Sequence, residues 1–395
     1  MKQGWEMKRL GEVCNIIGGG TPSKANANFY KGNVLWATVR DMTGDVLNDT
    51  ECTISQEAIN SSATHLIPKG NVVIATRVGL GKVCIIENDT AINQDLKGII
   101  PKNSKSVTPL FLFHWLKLIS PKIIENGTGA TVQGVKLEFI INLKLPIPPL
   151  PEQQRIVAIL DEAFAAIAKA KKNAEKNLAN AQQVFETSLQ SVFANRSNGW
   201  EAKKLGEVYD VRDGTHDSPK FQSEGFPLIT SKNLKRDELN YDNVQYISEK
   251  DFIQINQRSK VHKGDILFAM IGTIGNPVVI DIDPDFAIKN VALFKIPKHQ
   301  SSYFLKYYLD SKHVIEKMTM EAKGTTQRFV GLGYLRDFPI LLPSLSTQLS
   351  IVQKLDALSF DIKKLKAIYQ QKLTDLDELK KSILEKAFAG ELNTN

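Results

Sequence analysis

Along residues 151–195 the apolar positions keep an alternating spacing of four and three: Ile156, Leu160, Ala163, Ile167, Ala170, Ala174, Ala181 and Val184 form one stripe, broken only at Asn177. That period is one face of an α-helix. The stripe returns at an offset of 195 residues as Ile351, Leu355, Leu358, Ile362, Leu365, Tyr369, Leu376 and Leu379, with Lys372 at the position of Asn177. Neither helix has an internal Gly or Pro. About 40 helical residues extend roughly 60 Å, longer than a globular core requires. The first stripe is mostly Ala and the second mostly Leu and Ile, so large side chains can face small ones and the two helices are expected to pair.

Shorter periods fill the rest, and they too occur twice. Gly4-Trp5-Glu6 followed by Lys8-Arg9-Leu10-Gly11-Glu12-Val13 returns as Gly199-Trp200-Glu201 followed by Lys203-Lys204-Leu205-Gly206-Glu207-Val208. A turn at Gly20-Thr21-Pro22 or Gly214-Thr215 precedes an apolar strand with a polar tip, Leu35 to Met42 or Leu228 to Leu234. Lys69-Gly70 and Lys263-Gly264 then feed buried strands, followed by bends at Gly79 and Gly272. Ala91-Ile92-Asn93-Gln94 corresponds to Ala287-Ile288-Lys289-Asn290, and a helix follows behind Thr108-Pro109 or Ser301-Ser302. The proline-rich run 145–153 supplies a stiff lead-in to the first long helix, with Pro151 suited to the first helical turn. Each half is therefore a strand-rich domain followed by a long helix, and between the matching anchors the two differ widely in sequence.

Composition adds little. A chain of 395 residues suits two or three domains, and the net charge of +7 permits an acidic partner such as nucleic acid. The longest apolar stretch, residues 110–119, contains His114 and Lys117 and is too short for a bilayer; with no signal-peptide core at the start, the expectation is a cytoplasmic protein without a membrane role. Cys14, Cys52 and Cys84 lack metal or disulfide spacing and read as small core residues.

Catalytic signatures are missing from the pattern. No Asn/Asp-Pro-Pro-aromatic loop for amino methylation is present. The Gly18-Gly19-Gly20 run with Lys24 lacks phosphate-loop spacing, and Asp281, Asp283 and Asp285 ahead of Lys289 lack the carboxylate a nuclease site needs two residues before its lysine. The scattered histidines give no metal spacing. The expectation is a non-enzyme with no cofactor and no metal. A stand-alone methyltransferase or nuclease is disfavoured on the same grounds, and a coiled-coil scaffold is the remaining alternative.

In this order the residues resemble the specificity subunit of type I restriction-modification systems, over essentially the whole chain. The most specific pieces are the run PIPPLPEQQRIVAILD at 146–161 and its weaker copy at 341–356, where Ser346-Thr347 stand in place of the Pro-Glu of the family pattern. The resemblance implies an α+β fold: two strand-rich target recognition domains, separated by two long antiparallel helices that form a coiled coil, related by a pseudo-twofold repeat. Expected boundaries are 1–150 and 196–345 for the domains, 151–195 and 346–395 for the helices. It implies double-stranded DNA as ligand, each domain reading one half of a bipartite asymmetric target, and as partners two methylation subunits and restriction subunits. For DNA contact, polar residues at matched loops and strand tips are the candidates: Thr21, Thr38, Arg40, Arg77, Gln94, Thr131 and Gln133, then Thr215, His216, Thr230, Lys232, Asn290, Thr326, Gln327 and Arg328.

Overall fold

Residues 3–129, 133–194, 199–236, 238–324 and 327–392 are described in a computed structural model. The chain forms two compact units: Met1–Ala174 with Gln371–Asn395, and Glu175–Gln370. The α+β fold and the internal repeat expected from the sequence are both present.

In the first unit, the larger sheet orders its strands Cys14–Gly18, Leu96–Pro101, Val72–Ala75, Val83–Ile86, Val46–Leu47. A smaller sheet orders Thr53–Ile54, Val34–Ala37, Thr90–Ile92, His65–Ile67. Strand Val72–Ala75 is buried throughout, and its alternating side chains divide two cores. Val72 and Ile74 join helix residues Phe111, Leu112 and Leu116 and long-helix residues Ile156 and Leu160. Val73 and Ala75 join Ala37 and Ile92 of the smaller sheet. The helix Pro109–Glu125 starts as expected, with the Thr108 hydroxyl accepting from the Phe111 amide at 3.4 Å.

The second unit repeats this plan. Its sheets order Asp210–Asp213, Val291–Lys295, Ile266–Ala269, Gly275–Val279, and Gln245–Ile247, Phe226–Ile229, Ala287–Ile288. Ile266 and Phe268 face the helices, while Leu267 and Ala269 face Ile229 and Ile288.

The repeated Leu-Gly-Glu-Val has a local cause. Glu12 accepts from the Arg9 amide at 3.0 Å and Glu207 from the Lys204 amide at 2.9 Å, closing each short turn. A Cβ on Gly11 would lie 2.7 Å from Ile141, and one on Gly206 2.9 Å from Arg336, so only glycine fits either position. The strand before each turn pairs with the last strand of its domain: Glu6–Arg9 with Lys144–Ile147, and Glu201–Lys204 with Pro339–Leu342.

Leu150–Ala194 and Leu345–Ala389 are single helices of 45 residues each. Asn195, the expected end of the first, lies outside the described residues. They run antiparallel. In the first unit Arg155 donates to the Leu392 carbonyl at 3.4 Å, the Lys380 ammonium lies 4.8 Å from the Phe164 ring, and Lys171 pairs with Asp377. In the second unit Gln182 accepts from Lys366.

The seam corrects one expectation. Leu160, Ile167, Ala174, Ala181, Leu355 and Ile362 are buried in it, but Val184, Leu365 and Leu379 are exposed at 52%, 39% and 47%. Neighbouring residues Phe185, Lys366 and Lys380 are more enclosed instead. Lys380 sits by the Phe164 ring and Lys366 bonds Gln182 across the pair, contacts at positions that a tally of hydrophobic letters counts as polar.

The helix starts share a buried feature. Gln153, 0% exposed, accepts from the Thr108 amide at 3.0 Å and donates to the carbonyls of Ser106 at 2.7 Å and Pro148 at 3.0 Å. Gln348, also 0% exposed, accepts from the Ser301 amide at 3.0 Å and donates to Gln300 Oε1 at 2.7 Å and the Pro343 carbonyl at 2.9 Å. Ser346-Thr347 do not shift the second helix, because this glutamine is kept. Two turns further along, His114 Nε2 lies 3.1 Å from Asp161 Oδ1, and the Tyr307 hydroxyl donates to Asp356 Oδ1 at 2.5 Å, again at the 195 offset on the long helix.

Candidate nucleic-acid interface

In the first unit strands Val34–Ala37 and Thr90–Ile92 run parallel, so the residues following each emerge at the same edge. The Asn93 amide donates to the Ala37 carbonyl at 3.0 Å, and the Gly20 amide to the Ile92 carbonyl at 3.0 Å. A Cβ on Gly19 would lie 2.2 Å from the Ile92 and Asn93 carbonyl oxygens, which explains the glycine run as a loop pressed on strand ends. Trp36 Nε1 and the Thr64 hydroxyl fix the Gly20 carbonyl at 3.2 and 2.7 Å.

On this edge the Thr21 hydroxyl bonds Gln94 Oε1. Arg77 Nε lies 3.8 Å from Asp95, whose backbone carbonyl accepts from the Thr76 and Arg77 amides at 2.8 and 3.3 Å. Gln133 is exposed and precedes Gly134, which bridges to Arg77. Lys97 donates to the Gln94 carbonyl at 3.3 Å; its pKa is lowered by burial, with Asp95 opposing and Arg77 reinforcing the shift. Val78 holds a left-handed φ of +42°, a strained conformation for a β-branched residue, next to Arg77. Thr131 lies outside the described residues.

Thr38 and Arg40 sit in a turn closed by Asp41, which accepts from the Thr38 amide and hydroxyl at 2.7 and 2.9 Å and from the Glu51 amide at 2.7 Å. The second unit builds the same turn. Asn233 Oδ1 accepts from the Thr230 amide and hydroxyl, each at 2.9 Å, and its Nδ2 donates to the Asn240 carbonyl at 3.0 Å. Since Ala37 pairs with Ile92 and Ile229 with Ile288, Arg40 and Lys232 are equivalent residues, and both are exposed.

Around that turn lies a concavity of about 720 Å³ whose lining includes Thr230, Lys232, Asn290 and Gln327. Thr215 and His216 join it through Asn290: its amide donates to the Thr215 carbonyl at 3.2 Å, and His216 Nδ1 lies 2.8 Å from Asn290 Oδ1. The other ring nitrogen lies 2.9 Å from Asp213, which also pairs with Arg258. Arg328 turns to the Thr319 carbonyl at 3.3 Å, while its own carbonyl accepts from the Gly272 amide at 2.8 Å. Thr326 lies outside the described residues.

Sequence reasoning missed Asp41, Asn233 and Asp95, which position others, and Asn240, Asn243 and Gln245, which line the concavity. The signal available was the Thr-x-x-Asp or Thr-x-x-Asn spacing, a side-chain turn motif common to both halves. Burial pushes the Cys14 and Cys84 thiols up to about 12, in keeping with their core positions, whereas Cys52 is exposed and is not the core residue expected. Among the described residues no group of three or more His, Cys, Asp or Glu is placed to hold a metal ion, and no helix is long and apolar enough to cross a membrane.

Residues 2–176 and 197–372 each match the type I restriction modification DNA specificity domain. The type I restriction enzyme MjaIX specificity subunit of Methanocaldococcus jannaschii is 22% identical over 98% of this chain and 93% of its own length. A specificity subunit of Escherichia coli is 34% identical over 40% of each chain. Among solved structures, a chain from a study of complex assembly and conformational transition of the type I R-M system superposes with a TM-score of 0.79, at 22% identity and 99% coverage of both chains. The HsdS subunit from Thermoanaerobacter tengcongensis superposes with a TM-score of 0.67, at 22% identity, 99% coverage of this chain and 98% of its own.

Proposed function

This chain belongs to the type I restriction modification DNA specificity family, and from that premise we propose that each of its two globular domains reads one half of a bipartite, asymmetric duplex target. As a specificity subunit it is a recognition component and not itself catalytic. The observation that carries the reading is the duplicated turn: Arg40 and Lys232 occupy equivalent exposed positions on one scaffold, while the polar residues around them differ. Basic side chains fixed at matched places suit phosphate contact, and differing neighbours suit different bases. A net charge of +7 agrees.

The fifteen residues named from the sequence remain the proposed DNA contacts, with domains at 1–150 and 196–345 and long-helix segments at 151–195 and 346–395, the second of which is helical to Ala389. The antiparallel helices set the gap between half-sites. Places on one face of a duplex recur about every 10 base pairs, so half-sites of roughly three or four pairs leave about six or seven unread. The coiled coil also docks two methylation subunits, which restriction subunits join. Support for docking comes from the second unit, where Val184, Phe360 and Ile368 are 52%, 68% and 52% exposed on the helix surfaces. The complex acts on DNA in the cytoplasm. Mapping methylated positions in DNA from cells expressing this chain with its methylation subunit tests the reading: a gapped, asymmetric site is expected, and a continuous or palindromic one refutes it. Labelled methyl transfer by the chain alone would favour the stand-alone enzyme.

A further inference from the structure

We infer that Asn243 and Gln245, in the concavity of the second unit, determine specificity by reading an adenine of the DNA target. The inference rests on the DNA-reading function proposed above. Six carboxamides line this concavity; besides Asn290 and Gln327, already named as candidate contacts, the other four fall into two sets. Asn233 and Asn240 are engaged internally: Asn233 holds Thr230 and the Asn240 carbonyl, and Asn240 Nδ2 donates to Asp242 at 3.1 Å. Asn243 and Gln245 are exposed, and among the described residues neither side chain has an intramolecular hydrogen bond.

Their backbones are nonetheless fixed. Asn243 occupies a tight turn closed by the Val244 amide donating to the Tyr241 carbonyl at 3.2 Å, with φ at +58°, a conformation open to Gly and Asn and strained for most residues. Gln245 opens strand Gln245–Ile247 and pairs with Leu228 in the register against Phe226–Ile229. A carboxamide offers a donor and an acceptor side by side, which complements the N7 acceptor and N6 amino donor on the major-groove edge of adenine. Lys232 and Lys235 line the same concavity and supply phosphate contacts that carry no base information.

The test uses the complex of full-length chain and methylation subunits, with modified sites mapped for wild type, Asn243→Gly, Gln245→Ala and Gln245→Glu. Glycine removes the carboxamide while keeping the positive φ accessible. Asn243→Gly and Gln245→Ala should each relax preference at one adenine of one half-site, by roughly tenfold to a hundredfold, and leave the other half-site unchanged. Gln245→Glu should move preference at its position toward cytosine, whose N4 amino group donates to a carboxylate. A wild-type complex with a bipartite site and variants with unchanged base preference overturn this inference and leave the proposed function standing. Relaxation at a base other than adenine, or equal loss across both half-sites, also overturns it. A wild-type complex without a bipartite site overturns the proposed function itself.

Discussion

Removing the buried glutamine at each long-helix start should cost the two units unequal amounts, and the difference follows from what each glutamine touches. Gln153→Ala leaves the Thr108 amide and the Ser106 and Pro148 carbonyls without their partner, all of them backbone groups that stay where they are. At about 1 kcal/mol for each partly buried orphan, the loss is about 3 kcal/mol. Gln348→Ala orphans the Ser301 amide and the Pro343 carbonyl, but its other partner is the side chain of Gln300, which can turn to water. Two orphans give about 2 kcal/mol. Hydrogen exchange read by mass spectrometry reports each unit separately. Protection of helix Pro109–Glu125 should fall roughly 150-fold in the first variant, and that of Ser302–Asp310 roughly 30-fold in the second, at tenfold per 1.4 kcal/mol. Gln153→Glu should be worse than alanine, because it turns a carboxylate toward two carbonyls in a buried site. A loss below about 1 kcal/mol for Gln153→Ala, or a glutamate variant as stable as wild type, would refute the reasoning.

Three further outcomes are expected. Arg40→Ala and Lys232→Ala should each weaken DNA binding by the complex about equally across sequences and lower the salt slope by about one; a changed base preference in methylation mapping counts against the phosphate role. Burial holds the His114 pKa below its ordinary value of 6.5, with Asp161 pulling the other way, so the unfolded chain takes up the proton first and stability falls as pH drops below 6.5. His114→Tyr, which installs the residue found at the equivalent position 307, should flatten that fall; urea midpoints at about pH 7.5 and about pH 5.5 with an unchanged difference would exclude it. Four helix-forming residues inserted near Ala174 add about 6 Å and turn the stripe by only about 40°, so the half-site gap should lengthen by one or two base pairs with both half-sites intact, whereas an unchanged gap sinks the ruler idea.

The duplicated plan was legible because it rests on local patterns that a sequence displays: apolar runs for doubly covered strands, Thr108 and Ser301 as caps, and a long helical period. Pairing of the long helices was legible from their equal lengths and matched stripes, although Leu365 and Leu379 of the second stripe are exposed. One row of the seam was not, since Lys171 and Lys366 bridge to Asp377 and Gln182 there, and a charged side chain gives no apolar signal. Gln153 and Gln348 also escaped notice, because a glutamine early in a polar first turn looks solvent-facing until the loop it bonds, 45 residues earlier for Gln153 and 47 for Gln348, is placed beside it. The candidate contacts were chosen for polarity at matched positions, which does not separate a residue spent on the fold from one held ready. Thr38 and Thr230 turn their hydroxyls inward to Asp41 and Asn233, while Arg40 and Lys232 point no bond back to the chain through their side chains among the described residues.

The pairing of Glu6–Arg9 with Lys144–Ile147 and of Glu201–Lys204 with Pro339–Leu342 bears on how such a chain changes over generations. Each two-stranded clip brings the entry and exit of its domain side by side, closed by the Leu10 amide on the Leu143 carbonyl at 2.8 Å and the Leu205 amide on the Phe338 carbonyl at 2.9 Å. Everything between the arms of a clip is, topologically, a cassette. A crossover within the Leu-Gly-Glu-Val stretch and another in the lead-in to the helix would import a foreign domain without displacing a residue of either long helix, since adjacent termini are what domain insertion requires. Because both clips share one antiparallel register and the Leu-Gly-Glu-Val turn, a cassette from one position has matching ends for the other, and on the proposed function a new target would arise by splicing before any contact residue is altered.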